Sequence, residues 1–170
     1  MDSYTRLAKM AVEAYIKEGK IIEAPQKLSS EIRESRAGVF VTIYKEKELQ
    51  GCIGTYLPTR KNIAEEIINN ACSASQDSRF LPITEKELPK LKYEVSVLSE
   101  PKPVIDKKKL DPKKDGIIVF SDDGRSGLLL PNLKGIKTVD QQISIACQKG
   151  GIDWHSDKLK LLFFQIEKHE

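Results

Sequence analysis

Two runs of β-branched and aromatic residues, Val39 to Tyr44 and Ile117 to Phe120, are each followed within a few residues by a second strand-like run. This pattern constrains the fold more than any other, because strands joined by a short turn pair antiparallel. The first hairpin turns in the charged stretch Lys45 to Glu48 and returns through Leu49 to Tyr56. The second turns at Asp122 to Arg125 and returns through Gly127 to Leu130. Helical periodicity fills the intervals between hairpins. Tyr4, Leu7, Ala8, Ala11, Val12 and Tyr15 mark one amphipathic helix, with Asp2 or Ser3 to cap its start and Gly19 to close its end. Ile63, Ala64, Ile67, Ile68, Ala71 and Cys72 mark a second, opened at Pro58 and Thr59. Val139, Ile143, Ala146 and Cys147 mark a third, begun by a Thr138–Gln141 capping box and closed by Gly150 and Gly151. Thr84 with Glu87 forms another capping box, for a short helix before Pro89. Tyr93, Val95 and Val97 alternate as a strand, and Leu159 to Ile166 is expected to be a buried one. The expectation is an α+β fold, a largely antiparallel sheet of hairpins with flanking helices. The order hairpin, helix, strand occurs twice without a sequence repeat. No flexible linker separates the halves, so residues 1–170 are expected to form one domain.

A chain of 170 residues buries enough core to need neither disulfide nor metal staple. Lysine and arginine number 28 against 25 acidic residues, and an excess of +3 does not by itself indicate nucleic acid. No apolar run approaches the ~18 residues of a membrane helix. Met1 to Met10 lacks the apolar core of a secretory signal. Cys52, Cys72 and Cys147 are odd in number and widely spaced, which suits neither a disulfide framework nor zinc. A reducing cytoplasm is therefore expected. His155 and His169 are too few for a His-rich metal site, and His169 is expected to fray with the last residues. No phosphate-cradling glycine fingerprint or nucleophile elbow is present, so no cofactor is expected.

The sharpest chemical feature is Gly51-Cys52-Ile53-Gly54. Along the strand Leu49, Gly51 and Ile53 share one face, and Gln50, Cys52 and Gly54 the other. Glycine on both faces points to a bulge, or to close approach by another backbone or a ligand. Cys52 is a candidate nucleophile if nearby cations stabilise its thiolate, and otherwise a small buried thiol beside a tight strand crossing. Arg79, in the loop Asp77 to Pro82, either clamps an anionic ligand or pairs structurally with Asp77 or with the preceding helix end. His155, between Asp153 and Asp157, is a proton-shuttle candidate that pairs with Cys52 only if the fold unites them; the bland alternative is a surface turn histidine. Lys107, Lys108, Lys109, Lys113 and Lys114 form the one dense basic cluster, interrupted by acids and without interleaved aromatics, as expected of a solvated loop.

Leu49-Gln50-Gly51-Cys52-Ile53-Gly54-Thr55 resembles the signature of the AMMECR family, which usually reads leucine, arginine, glycine, cysteine, isoleucine, glycine. Asp77-Ser78-Arg79-Phe80 resembles the family's Asp-Pro-Arg-Phe loop, Glu94 to Leu98 its later strand, Gly127 to Pro131 its second hairpin, and Cys147 to Gly151 its following helix end. The resemblance implies an α+β fold of two intimately joined subdomains, with no established reaction. It implies a ligand or partner pocket at the glycine-flanked cysteine, involving Gln50, Gly51, Gly54 and Arg79. It also implies an accessory role beside Memo-type or radical-SAM proteins, with which family members occur fused or encoded. The alternative is a small-molecule enzyme using Cys52 as nucleophile. Gln50 stands where the family usually has arginine, which removes a charged fork for an anion, and Ser78 replaces a stiffening proline.

Overall fold

The computed structural model describes residues 1–155 and 158–170. The chain divides into two compact units, Met1–Leu98 with Glu167–Glu170, and Ser99–Ile166. Each holds an antiparallel four-stranded sheet, so the fold is α+β as the hairpins predict.

In the first unit, α1 (Ser3–Glu18) starts at Asp2, whose side chain accepts the Thr5 amide, and ends at Gly19 in the left-handed conformation. A five-residue helix, α2 (Ser30–Glu34), lies where only a polar connection was expected. It is too short for periodicity to reveal, and Ile32 is its one buried residue. Strands β1 (Val39–Lys45) and β2 (Glu48–Thr55) form the first hairpin. Its tight turn places Glu46 and Lys47 both at positive φ, as primed hairpin turns require. Then follow α3 (Ile63–Ala74), a 3₁₀ turn at Glu85–Lys90 with the expected Thr84–Glu87 capping box, and β3 (Leu91–Leu98).

Helix α3 starts later than Pro58 and Thr59 suggest, at Asn62, whose side chain accepts the Glu65 amide. The reason is Glu66, fully buried, whose carboxylate accepts the Thr59 and Arg60 amides at 2.8 Å and the hydroxyls of Thr55 and Thr59. These bonds fold the preceding residues back as a loop. The apolar faces of α1 and α3 pack on Val39, Val41, Ile43, Tyr93 and Val95.

The second unit contains β4 (Lys102–Pro103), a 3₁₀ turn at Lys107–Lys109, β5 (Gly116–Ser121), β6 (Ser126–Leu129), α4 (Val139–Gly150) and β7 (Leu159–Phe164). Both ends of α4 are as expected, with the Thr138–Gln141 box and Gly151 as left-handed cap. Ile143, Ala146 and Cys147 pack on Ile117, Val119 and Leu129. The expected single C-terminal strand is two. β7 is mostly half-buried and ends at Phe164, and β8 (Ile166–His169) joins the sheet of the first unit, in the order β2-β1-β3-β8. His169 is not frayed: its ring stacks on Tyr4 at 3.7 Å between centroids, and Nδ1 lies 2.6 Å from an Asp2 carboxylate oxygen.

The twofold echo has a physical counterpart. In each unit a glycine on the second hairpin strand lies directly against a helix carbonyl: Gly51 against Ala74, and Gly127 against Ala146. A Cβ at either position overlaps that carbonyl oxygen. Neither glycine has a positive φ, so alanine would ordinarily stabilise by restricting the unfolded chain. Here overlap with backbone reverses the sign. Gly51→Ala and Gly127→Ala are each expected to lower unfolding free energy by about 1–3 kcal/mol in urea titrations. An unchanged or raised midpoint would show that the strands do not seat on these carbonyls.

Candidate functional site

β2 is an edge strand, with β1 on one side only. Cys52 pairs with Thr42 of β1, and Gln50 is the extra residue where the register shifts between Ile43 and Tyr44. Both sequence explanations for the paired glycines therefore hold. A bulge occurs at Gln50, and protein backbone approaches at Gly51. The bulge also breaks the expected alternation, since Leu49 is exposed while Gly51 is buried. A Cβ on Gly54 overlaps the Val39 carbonyl and the Phe40 ring, so this glycine too is required by protein packing.

Seating Gly51 on Ala74 brings the chain leaving α3 alongside β2. Asp77 then accepts the outward-pointing amide of Cys52 at 3.1 Å through Oδ2. Arg79 donates from Nη2 to the Cys52 carbonyl at 2.8 Å and to Asp77 Oδ2 at 2.6 Å, and from Nε to Asp77 Oδ1 at 2.9 Å. Two side chains thus occupy the positions a neighbouring strand would fill. The Asp77 side chain is 3% exposed and that of Arg79 60% exposed. The Arg79 guanidinium holds the Asp77 carboxyl down at about 2, with the Cys52 amide adding to the effect against the cost of burial.

Cys52 is half-buried, and its Sγ lies 3.3 Å from Thr42 Oγ1. Its amide donates to Asp77 and its carbonyl accepts from Arg79, so the amide is committed to structure and not to an incoming oxyanion. Cys72 and Cys147 are buried, as the helical stripes predict.

Beside the edge lies an open groove of about 680 Å³, lined by Lys45, Gln50, Arg79, Phe80, Leu81 and Glu87 among others. Gly51, Cys52 and Gly54 are not among its lining residues. Lys45 and Glu87 close one side with a 2.6 Å ion pair, and Leu81 is 84% exposed. The loop carrying Arg79 and Leu81 was legible as a candidate, but the Lys45–Glu87 pair was not, because it joins residues distant in sequence.

His155 belongs to the second unit, where its Nε2 accepts the Trp154 indole N–H at 2.9 Å and its amide donates to Asp153 at 3.0 Å. Asp157, the other expected partner, lies outside the described residues. Among the described residues no group of three or more His, Cys, Asp or Glu side chains is arranged to hold a metal. Likewise no described helix is long and apolar enough to cross a membrane.

The model of the AMMECR1 family matches residues 5–169. The chain belongs to the AMMECR1 family. It is 43% identical to a protein of Thermotoga maritima, over 98% of this chain and 97% of that one. It is 42% identical to a protein of Clostridium acetobutylicum over 99% of this chain, where it spans only 36% of the relative's length. The crystal structure of the uncharacterized protein PH0010 from Pyrococcus horikoshii superposes with a TM-score of 0.88 at 32% identity, covering 97% of this chain and 88% of that one. AMMECR1 membership accounts for the resemblance carried by the Gly-Cys-Ile-Gly and Asp-Ser-Arg-Phe segments, which this structure unites through the Asp77–Arg79 clamp.

The depressed Asp77 carboxyl has a pH consequence. A group whose folded pKa is lowered contributes stability above its unfolded value, near 3.8, and loses it as pH falls towards about 2. Unfolding free energy measured at pH 7 and pH 2.5 should fall more in the wild type than in Asp77→Asn, by up to about 2 kcal/mol. Parallel pH profiles would remove the clamp from the stability of this site.

Proposed function

We propose that this AMMECR1-type chain acts as a binding or accessory module, residues 1–170 working as one domain, with its ligand or partner groove at the signature strand. The observation that carries this reading is the groove beside Gln50 and Arg79, with exposed Leu81 near a strand edge already closed by side chains. A closed edge resists unspecific strand pairing, leaving recognition to side chains in the groove. The association of AMMECR proteins with Memo-type and radical-SAM proteins supports a partner of that kind. The Clostridium relative, in which the matched region is about a third of a longer chain, suits a unit that works with other sequence.

The specific observation favouring a second reading, Cys52 as nucleophile, is a half-buried thiol with the Thr42 hydroxyl oxygen 3.3 Å from its sulfur. Its signature would be alkylation faster than that of a model thiol, lost in Cys52→Ser.

Binding of purified Memo-type and radical-SAM proteins to the full chain, followed by calorimetry, tests the first reading. Leu81→Asp alters an exposed side chain and should leave the fold intact while weakening association by about tenfold, as loss of an interface anchor does. Binding indifferent to this change and to Gln50→Lys would displace the groove from the interface. No association of the wild type with either class would overturn the accessory role.

A further inference from the structure

A second pocket is formed wholly by residues of the second unit, apart from the groove and the signature strand. It is a cavity of about 380 Å³ whose half-buried apolar walls are Val104, Leu110 and Phe163. That size falls within the range of small-molecule sites, roughly 300–1,000 Å³.

Three ionisable side chains line it, two acidic and one basic. Asp106 and Lys109 do so from exposed positions and offset each other's charge. Asp115 is the most buried residue of the lining, at 7% exposure. It immediately precedes β5 and stands opposite Gln165, because the register of β5 on β7 ends at the pair Gly116 and Phe164. Its Oδ2 accepts the Asp111 amide at 2.8 Å, and its Oδ1 accepts the Gln165 side-chain amide at 3.1 Å. Those bonds hold the turn entering β5, so they account for an acceptor at this position. They do not account for a charge. Both donors are neutral, and among the described residues no lysine, arginine or histidine pairs with Asp115. Lys107, close in sequence, is taken by Asp140 at 2.6 Å. A carboxylate accepts at about four positions, so about two remain open. Burying a charge without a countercharge is costly, and here a cavity adjoins it.

We propose that this pocket binds a small organic amine, its ammonium on the Asp115 carboxylate and its apolar body against Val104, Leu110 and Phe163. An alkylammonium carries both things the carboxylate lacks, a positive charge and further hydrogen-bond donors. The walls select an apolar body over a bare hydrated cation. This pocket stands or falls independently of the groove beside Arg79.

The test titrates the isotope-labelled full chain with phenethylamine, phenethyl alcohol and hydrocinnamate, probes of similar shape, and follows backbone amides by NMR. The chain carries a net charge of +3, so unspecific attraction favours the carboxylate probe, and preference for the amine reports a local site. The amine should shift the amides of Leu110, Asp115 and Gln165 and bind about tenfold tighter than the alcohol, as a charge-assisted hydrogen bond provides. Asp115→Asn keeps an acceptor for its neighbours but removes the charge, and should bring the amine down to the level of the alcohol. Val104→Phe fills the cavity and should abolish saturable shifts from both. The wild-type preference decides even where a variant fails to fold. No saturable binding of the amine, equal binding of amine and alcohol, tighter binding of the carboxylate, or an amine preference that survives Asp115→Asn would each overturn the proposal.

Discussion

The contact between Gly51 and the Ala74 carbonyl governs the geometry of the first unit. A side chain at position 51 would lift β2 away from the end of α3. With none, the strand and the helix end meet backbone to backbone, and the residues following the helix arrive beside the strand edge. Asp77 is then close enough to take the Cys52 amide, and Arg79 close enough to take its carbonyl. The glycine signature and the Asp-Ser-Arg loop form one device. The first permits the approach, and the second satisfies the polar edge that the approach exposes.

Open edges of antiparallel sheets invite pairing with other chains. An ion pair with one buried and one exposed member can close such an edge without a further strand. Its buried carboxylate is bound by donors, and its exposed guanidinium remains at the border of a groove. The same packing solution recurs in the second unit, where Gly127 meets the Ala146 carbonyl and a Cβ on Gly150 would overlap the Ser126 carbonyl. There α4 covers β6 by the same backbone-to-backbone approach. The echo of hairpin, helix and strand is thus repeated as a way of packing, although the residues around the two glycines differ.

Elements with local signals were legible in the sequence. α1 carries an uninterrupted 3.6-residue stripe and a cap at each end, and both capping boxes lie where their spacing places them. The bulge and close approach at Gly51 were foreshadowed by glycines on opposite faces of one strand. Features set by distant partners were not legible. The start of α3 depends on Glu66 gathering amides and hydroxyls from the loop before it, and the division of the last strand at Gln165 depends on two different sheets claiming adjacent residues. Pairing of Arg79 with Asp77 could be read from their spacing, but its bond to Cys52 could not. Nor could the anchoring of His169 by Asp2 and Tyr4, since nothing local to the last residues announces residues at the opposite end of the chain.

The most direct measurement is residue-resolved amide exchange of the hairpin in the wild type and in Asp77→Ala. In an antiparallel edge strand, successive amides point alternately to the partner strand and away from it. The Cys52 amide points to Asp77, so those of Gly51 and Ile53 point to β1. Removing the carboxylate should accelerate exchange at Cys52 by at least about tenfold, the loss expected for a hydrogen bond to a charged group, while Gly51 and Ile53 keep their protection. Equal exchange at Cys52 in the two proteins, or uniform loss along the whole strand, would contradict an edge closed by Asp77 and Arg79.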